Sequence, residues 1–190
     1  DCLLELTQRD GVTLHSSHTG SMGGILALKR GSCHAAPVHL LHPSGEYNLP
    51  YLKQYLHRED LSLVSVAWRE QGIASREGLS LADLPSHTFV NRQKGSGTRM
   101  LLDYELGRVG IDPGTIRGYD RELTTHIGVA LAVRQGEADA GMCVYSAARA
   151  LGLSFIPVGK ERYELAFRTA DLADPRIRAL LAAIDSDRFR

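Results

Sequence analysis

Residues 88–108, TFVNRQKGSGTRMLLDYELGR, decide the architecture. Residues 88–91 read as a strand, Gly95-Ser96-Gly97-Thr98 as a tight loop, and residues 99–108 as a helix with Leu101, Leu102 and Leu106 facing inward. A strand that runs through a short loop into a helix is the repeating unit of α/β proteins. The same alternation extends in both directions. Towards the N-terminus lie a strand over 12–16, a helix over 21–30 stopped by Gly31, and a strand over 35–40. Next come a turn at Pro43-Ser44-Gly45 and a short helix over 49–56 opened by Asn48 and Pro50. Residues 61–68, LSLVSVAW, alternate as a strand, Gln71-Gly72 suits a hairpin turn, and Ser80 with Asp83 caps a short helical turn. Towards the C-terminus follow a strand over 116–119, a helix over 125–135, a strand over 138–144, a helix over 146–151, strands over 154–158 and 163–168, and a helix over 175–184. Two α/β runs in tandem predict parallel sheets with right-handed crossovers, and ligands at the carboxyl ends of the strands.

Composition narrows the function. Of 190 residues, 22 are Lys or Arg and 22 Asp or Glu, a balance that argues against a generic binder of nucleic acid or anionic membrane but allows a local basic site. No apolar run approaches the roughly 18–20 residues of a membrane span, so membrane insertion is not expected. Cys2, Cys33 and Cys143 are odd in number and widely spaced, with no CxxC, which disfavours a disulfide framework, a zinc knuckle and a thioredoxin motif. Free thiols favour a reducing compartment, hence a cytoplasmic location, with the periplasm as the alternative. The opening residues lack a basic start and a small-residue cleavage site, although a cleaved signal would leave the same picture. Residues 2–6, CLLEL, read as a helix already under way, so sequence is expected to precede Asp1.

Two loops fit the strand-to-helix position. One is Ser16-Ser17-His18-Thr19-Gly20-Ser21 and the other Asn91-Arg92-Gln93-Lys94-Gly95-Ser96-Gly97-Thr98-Arg99. Free N–H groups and the positive dipole end at a helix N-terminus attract an anion, and glycine lets the backbone come close. One such loop is equally well a capped turn; two, one per α/β run, point to a cleft closed on an anion. Thr124, Thr125 and His126 open a further helix, where a threonine serves either as cap or as an additional donor, and Tyr145-Ser146 follow a strand end. The phosphate-loop, dinucleotide-fold and nucleophile-elbow patterns are missing, so neither nucleotide hydrolysis nor esterase chemistry is indicated. No nucleophile, base and orienting group stand at recognisable spacing; Ser96 with His126 is the nearest pair, and the chain is not expected to be an enzyme. His34 and His39 differ by five and fall on opposite faces of a strand, so no metal or cofactor is expected.

The motifs SLADL (80–84), FVNRQKGSGTR (89–99), GIDP (110–113), TTHIGVALAV (124–133), GEADAGM (136–142) and AARALGLSFIPVGKERYEL (147–165) resemble the periplasmic-binding-protein-like domain of type II topology. The likeness is greatest to the branch attached to molybdenum-cofactor biosynthesis proteins and helix-turn-helix regulators, and SSHTGSMGG (16–24) resembles its first-lobe loop. The resemblance implies a two-lobed α/β fold, with mixed sheets, helices on both faces and two crossover strands. Lobe one would hold 1–85 plus 166–190, and lobe two 86–165. A small oxyanion such as molybdate or tungstate would sit between them, making the domain a sensor or carrier. The implied ligand-binding residues are Thr19, Ser21, Arg92, Ser96, Gly97, Thr98, Arg99, Thr125, His126 and Tyr145.

A site made of donors alone selects a fully ionised dianion, whereas Arg92 and Arg99 would favour a small organic or phosphorylated anion, including a pterin-like one. A dimerisation module of a transcriptional regulator is the third reading. The partners expected are therefore a small anionic ligand, an attached helix-turn-helix or enzyme domain and a second copy of the chain, with no direct nucleic-acid contact. Lobe closure would hinge near Ser86 and Lys160-Glu161.

Overall fold

The computed structural model describes residues 7–8, 11–56 and 60–189. In chain order its helices and strands are α1 (Gly20–Lys29), β1 (Ala36–Val38), α2 (Leu49–Tyr55), β2 (Leu61–Ser75), β3 (Phe89–Arg92), α3 (Gly97–Val109), β4 (Glu122–Leu123), α4 (His126–Arg134), β5 (Ala140–Val144), α5 (Tyr145–Ala150), β6 (Ser154–Arg168) and α6 (Pro175–Asp185). Short 3-10 turns occupy Leu81–Ser86, Pro113–Thr115 and Thr169–Ala173. The helix expected over 2–6 lies outside the described residues.

One six-stranded sheet has the order β1-β6-β2-β5-β3-β4. It is mixed: β3 runs parallel to β5 and β4, and the remaining pairs are antiparallel. The expectation of parallel sheets therefore holds only around β3. Its centre is the pair β2 and β6, antiparallel from Leu61↔Arg168 to Ser75↔Ser154, with register shifts at Ser65/Ala67 and Gln71/Gly72. These are the two crossover strands, and they correct the sequence reading. Gln71-Gly72 is not a hairpin turn but a bulge inside β2, and 154–158 and 163–168 are parts of one strand. The polar run Arg69-Glu70-Gln71 stays in the strand, where Arg69 and Gln71 each meet Glu161 across the ladder.

Two further expected strands are absent. Residues 12–16 have no regular structure, and at 116–119 only Arg117 bridges Thr88 before the chain turns. Gly118 breaks the extension there. Its φ is +88°, and an ideal Cβ would lie 2.3 Å from the carbonyl oxygen of Phe89.

Both ends of the β2–β6 ribbon carry helices on both faces. At one end Ile25, Leu28 and Leu52 of α1 and α2 pack with Val38 and Ala166, while Ile177, Leu180 and Ile184 of α6 pack with Leu165 and Phe167. At the other end Leu101, Leu102 and Leu106 of α3 meet Ile73, Phe89 and Met142, while Val129, Ala130 and Val133 of α4 meet Ala74, Val90 and Cys143. The 3.6-residue spacing of these apolar positions fixes each helix's buried side. The connections between the two ends leave strand ends and helix starts facing one another across the ribbon's middle.

Candidate anion-binding site

Three helix N-termini meet beside the middle of β2 and β6. α3 starts at Gly97, where a Cβ would fall 2.2 Å from the carbonyl oxygen of His39, so glycine is needed for this close approach. α1 starts at Gly20, and its Met22 amide donates to Gly95 O at 3.4 Å. The two loops singled out in the sequence thus touch. α4 starts at His126, whose ring feels the fields of Arg92, Arg69 and His39.

The basic groups at this junction come from four elements or connections. Arg92, at the end of β3, is 7% exposed; its Nη2 donates to Thr124 O at 2.9 Å and its Nε to Gln93 Oε1 at 3.2 Å. Arg69, on β2, pairs with Glu161 of β6 and lies 4.0 Å above the Tyr163 ring. His39 stacks on the same ring at 5.5 Å and shares a 3.1 Å hydrogen bond with Ser21 Oγ. Gln71 donates to Glu161 through Nε2.

Several buried polar atoms here lack a hydrogen-bond partner among the described residues: Arg69 Nε, Gln71 Oε1, Arg92 Nη1, Thr98 Oγ1 and His126 Nδ1. Buried polar atoms are normally satisfied, so a cluster of orphans around two guanidiniums sets this junction apart from the rest of the core.

Electrostatics agree with the geometry. Burial, then the fields of Arg69 and Arg92, lowers His39 to about 3; burial, then Arg92 and Arg69, lowers His126 to about 2. Burial and the neighbouring Arg69 lower Arg92 to about 10, so it stays charged at neutral pH. Burial pushes Glu161 upward against the pull of Arg69 and Gln71.

The histidines predict a pH response. Above their ordinary value of 6.5 neither the folded nor the unfolded chain takes up these protons, and the contribution to stability is complete. As pH falls below 6.5 the unfolded chain is protonated first, and stability is lost until the folded values are passed. At pH 5.5 the loss is about 1–3 kcal/mol for the pair, a fall in Tm of about 3–10 °C from pH 7.5. Asp83, Asp139 and Asp174 are held below 3.8 and act in a lower window. Thermal melts across this range test it; a flat Tm would mean that the imidazoles are not held neutral.

Of the residues read from the sequence, Ser21, Arg92, Gly97, Thr98 and His126 are brought together at this junction. Ser96 caps α3, its Oγ accepting from the Arg99 amide at 3.2 Å, and Thr125 caps α4, accepting from the Gly128 amide at 3.0 Å. Thr19 is exposed beside Gly23. Arg99 is turned away: it stacks on Tyr119 at 3.9 Å and reaches Asp103 at 3.2 Å and Glu122 at 3.6 Å. Tyr145 packs edge-on against Phe155 and lines, with Trp68 and Arg69, an open cavity of about 310 Å³. A larger cavity of about 420 Å³ lies between β2 and α6, lined by Val64, Val66 and Leu181, and has no basic lining residue.

His39, Arg69, Gln71, Glu161 and Tyr163 are the additions the structure makes. For all but His39 the signal lies in WREQG and KERYE (68–72 and 160–164), charged runs inside strand-like segments, which pair with each other in the ribbon. Among the described residues no three His, Cys, Asp or Glu side chains cluster to hold a metal, and no helix is long and apolar enough to cross a membrane.

Known proteins share this architecture. A phosphate-bound structure from Clostridium perfringens, assigned as a phosphate ABC transporter substrate-binding protein, superposes with a TM-score of 0.73 at 14% identity, covering 98% of this chain and 88% of that one. The regulatory domain of Synechocystis PCC6803 CcmR in complex with 2-PG gives 0.71 at 17% identity, covering 96% and 87%. Bacillus subtilis (strain 168) YvgK, an uncharacterized protein, is 34% identical over 159 residues, 78% of this chain and 51% of that protein; the chain thus spans about half of this relative's length. A family model, the PBP superfamily domain, matches residues 4–185, and the chain belongs to that family.

Proposed function

We propose that the chain captures a small oxyanion between two lobes, the first formed by 1–85 plus 166–190 and the second by 86–165. The carrying observation is the set of unpartnered buried polar atoms around Arg69 and Arg92. Arg69 pairs with Glu161, while Arg92 donates to the neutral acceptors Thr124 O and Gln93 Oε1, so the junction holds positive charge that a guest anion would balance. Three helix N-termini add partial positive charge, and Thr98 and Ser21 add hydroxyls. The anion would touch His39 and Ser21 on one lobe and Arg92, Thr98 and His126 on the other, and so would hold the lobes closed. The hinge would lie near Ser86 and Lys160-Glu161, with the bulges of the β2–β6 ribbon adding flexibility.

The phosphate-bound and 2-PG-bound relatives in the same fold support an anionic ligand; they are a substrate-binding protein and a regulatory domain, which favours binding over catalysis. Molybdate and tungstate, the oxyanions implied by the sequence resemblance, remain the finer form of this reading. A cytoplasmic sensor attached to another domain and an exported carrier would use the same groups.

Trp68 is the single tryptophan in the chain, is 67% exposed, and adjoins Arg69. Its fluorescence should change on titration with molybdate, tungstate, sulfate or phosphate, and calorimetry should give the affinity. If no anion in this panel produces heat, a fluorescence change or a higher Tm, the oxyanion reading is lost. Light scattering on the same samples would distinguish a dimerisation module, whose mass would not depend on anion.

A further inference from the structure

We infer that the bound anion carries an O–H group of its own, which donates to Gln71 Oε1. This rests on the oxyanion reading above and narrows it. A site made only of donors would favour a guest with acceptors alone, such as sulfate or molybdate. This one is not donor-only. Gln71 is fully buried, and its amide is oriented by its neighbour: Nε2 donates to the Glu161 carboxylate, so Oε1 must be the atom left open. No partner reaches that oxygen among the described residues. Gln71 lies on a central strand, paired with Val144 of β5 and with Gly159 of β6, so its backbone is engaged and its side-chain oxygen is what remains to meet a ligand.

Arg69 and Arg92 supply the positive side chains against one buried carboxylate, Glu161, and the three helix N-termini add partial positive charge. An anion that keeps an O–H meets both these donors and the Gln71 acceptor. Hydrogen phosphate is one source of that chemistry and a 2-hydroxycarboxylate is the other. Against a fully ionised tetrahedral dianion, Oε1 would face an oxygen with no proton between them, an unpaired and repulsive contact.

The test uses matched pairs that differ by one O–H, titrated calorimetrically against the intact chain: phosphate against sulfate, and glycolate against acetate. Molybdate is added as a proton-free tetrahedral anion. In the pair that binds, the O–H member should be tighter by about tenfold or more, the size of one buried hydrogen bond. Which pair responds identifies the source. Gln71→Met, similar in volume but lacking the acceptor, should erase that preference by weakening the O–H member while leaving its counterpart within about twofold. Sulfate, acetate or molybdate binding as tightly as the O–H members would overturn the inference while leaving anion capture intact. So would a preference that persists in Gln71→Met. Absence of binding by every anion would instead remove the oxyanion reading, and this inference with it. If Gln71→Met fails to fold, the wild-type comparison still decides.

Discussion

Arg92→Ala is expected to weaken anion binding by about 100-fold or more, because truncating a buried, hydrogen-bonded charge typically costs 2–5 kcal/mol. Arg92 is 7% exposed, is anchored through Nη2 to Thr124 O, and keeps Nη1 without a partner. The anchored side fixes the fork and the open side is available to the ligand. Arg92→Lys retains the charge but loses the planar fork, and a smaller loss of about tenfold is expected. Arg99→Ala is the informative control. Its guanidinium is already engaged with Asp103, Tyr119 and Glu122, so its removal should lower stability while changing affinity by no more than about threefold. Calorimetric titration of the three variants checks this. Equal losses in Arg92→Ala and Arg99→Ala would place the site elsewhere in the cleft.

Gly97→Ala should reduce affinity by roughly 30–150-fold, with little change in Tm. An added Cβ would fall 2.2 Å from the His39 carbonyl oxygen and 2.2 Å from its Cδ2. The ring can swing aside but the backbone oxygen cannot, and overpacking of this kind costs about 2–3 kcal/mol in the closed arrangement. Gly97 and His39 lie on opposite lobes in the proposed division, so opening the cleft relieves the clash and the separate cores stay intact. Gly107→Ala, in the same helix with nothing within 4 Å of the new Cβ, should bind as the parent does. Wild-type affinity in Gly97→Ala would show that anion capture does not need this contact; a large fall in Tm would show that the lobes do not open.

Much of the scaffold is legible in the sequence. α3 and α6 announce themselves through inward leucines and isoleucines at helical spacing, and Ser96, Thr125 and Asp174 cap α3, α4 and α6 as residue preference predicts; α4 is turned differently from what its Ile127, Ala130 and Leu131 suggest, burying Val129, Ala130, Ala132 and Val133 and leaving Ile127 and Leu131 exposed. The two loops at 16–21 and 91–99 are readable for a similar reason: glycine and hydroxyl residues at a helix start have a local cause. The ribbon was not readable in the same way. Periodicity describes a strand's exposed and buried faces, but β2 and β6 change surroundings along their length, from the α1/α2/α6 end to the α3/α4 end, so a single alternation does not persist.

By itself the sequence determined the α/β class, the helices with their caps, and the loops able to cradle an anion, because each depends on residues within a few positions of one another. Tertiary structure alone decided which arginine faces the junction. Arg92 and Arg99 are equivalent as letters in one motif, but Arg99 finds Asp103, Tyr119 and Glu122 nearby while Arg92 is left with an open Nη1. Tertiary structure also turned Gln71-Gly72 from an expected hairpin turn into a bulge of β2 beside the junction. A charged run in a strand survives burial only when a partner meets it across the ladder, and for Arg69 and Gln71 that partner is Glu161, ninety residues or more away.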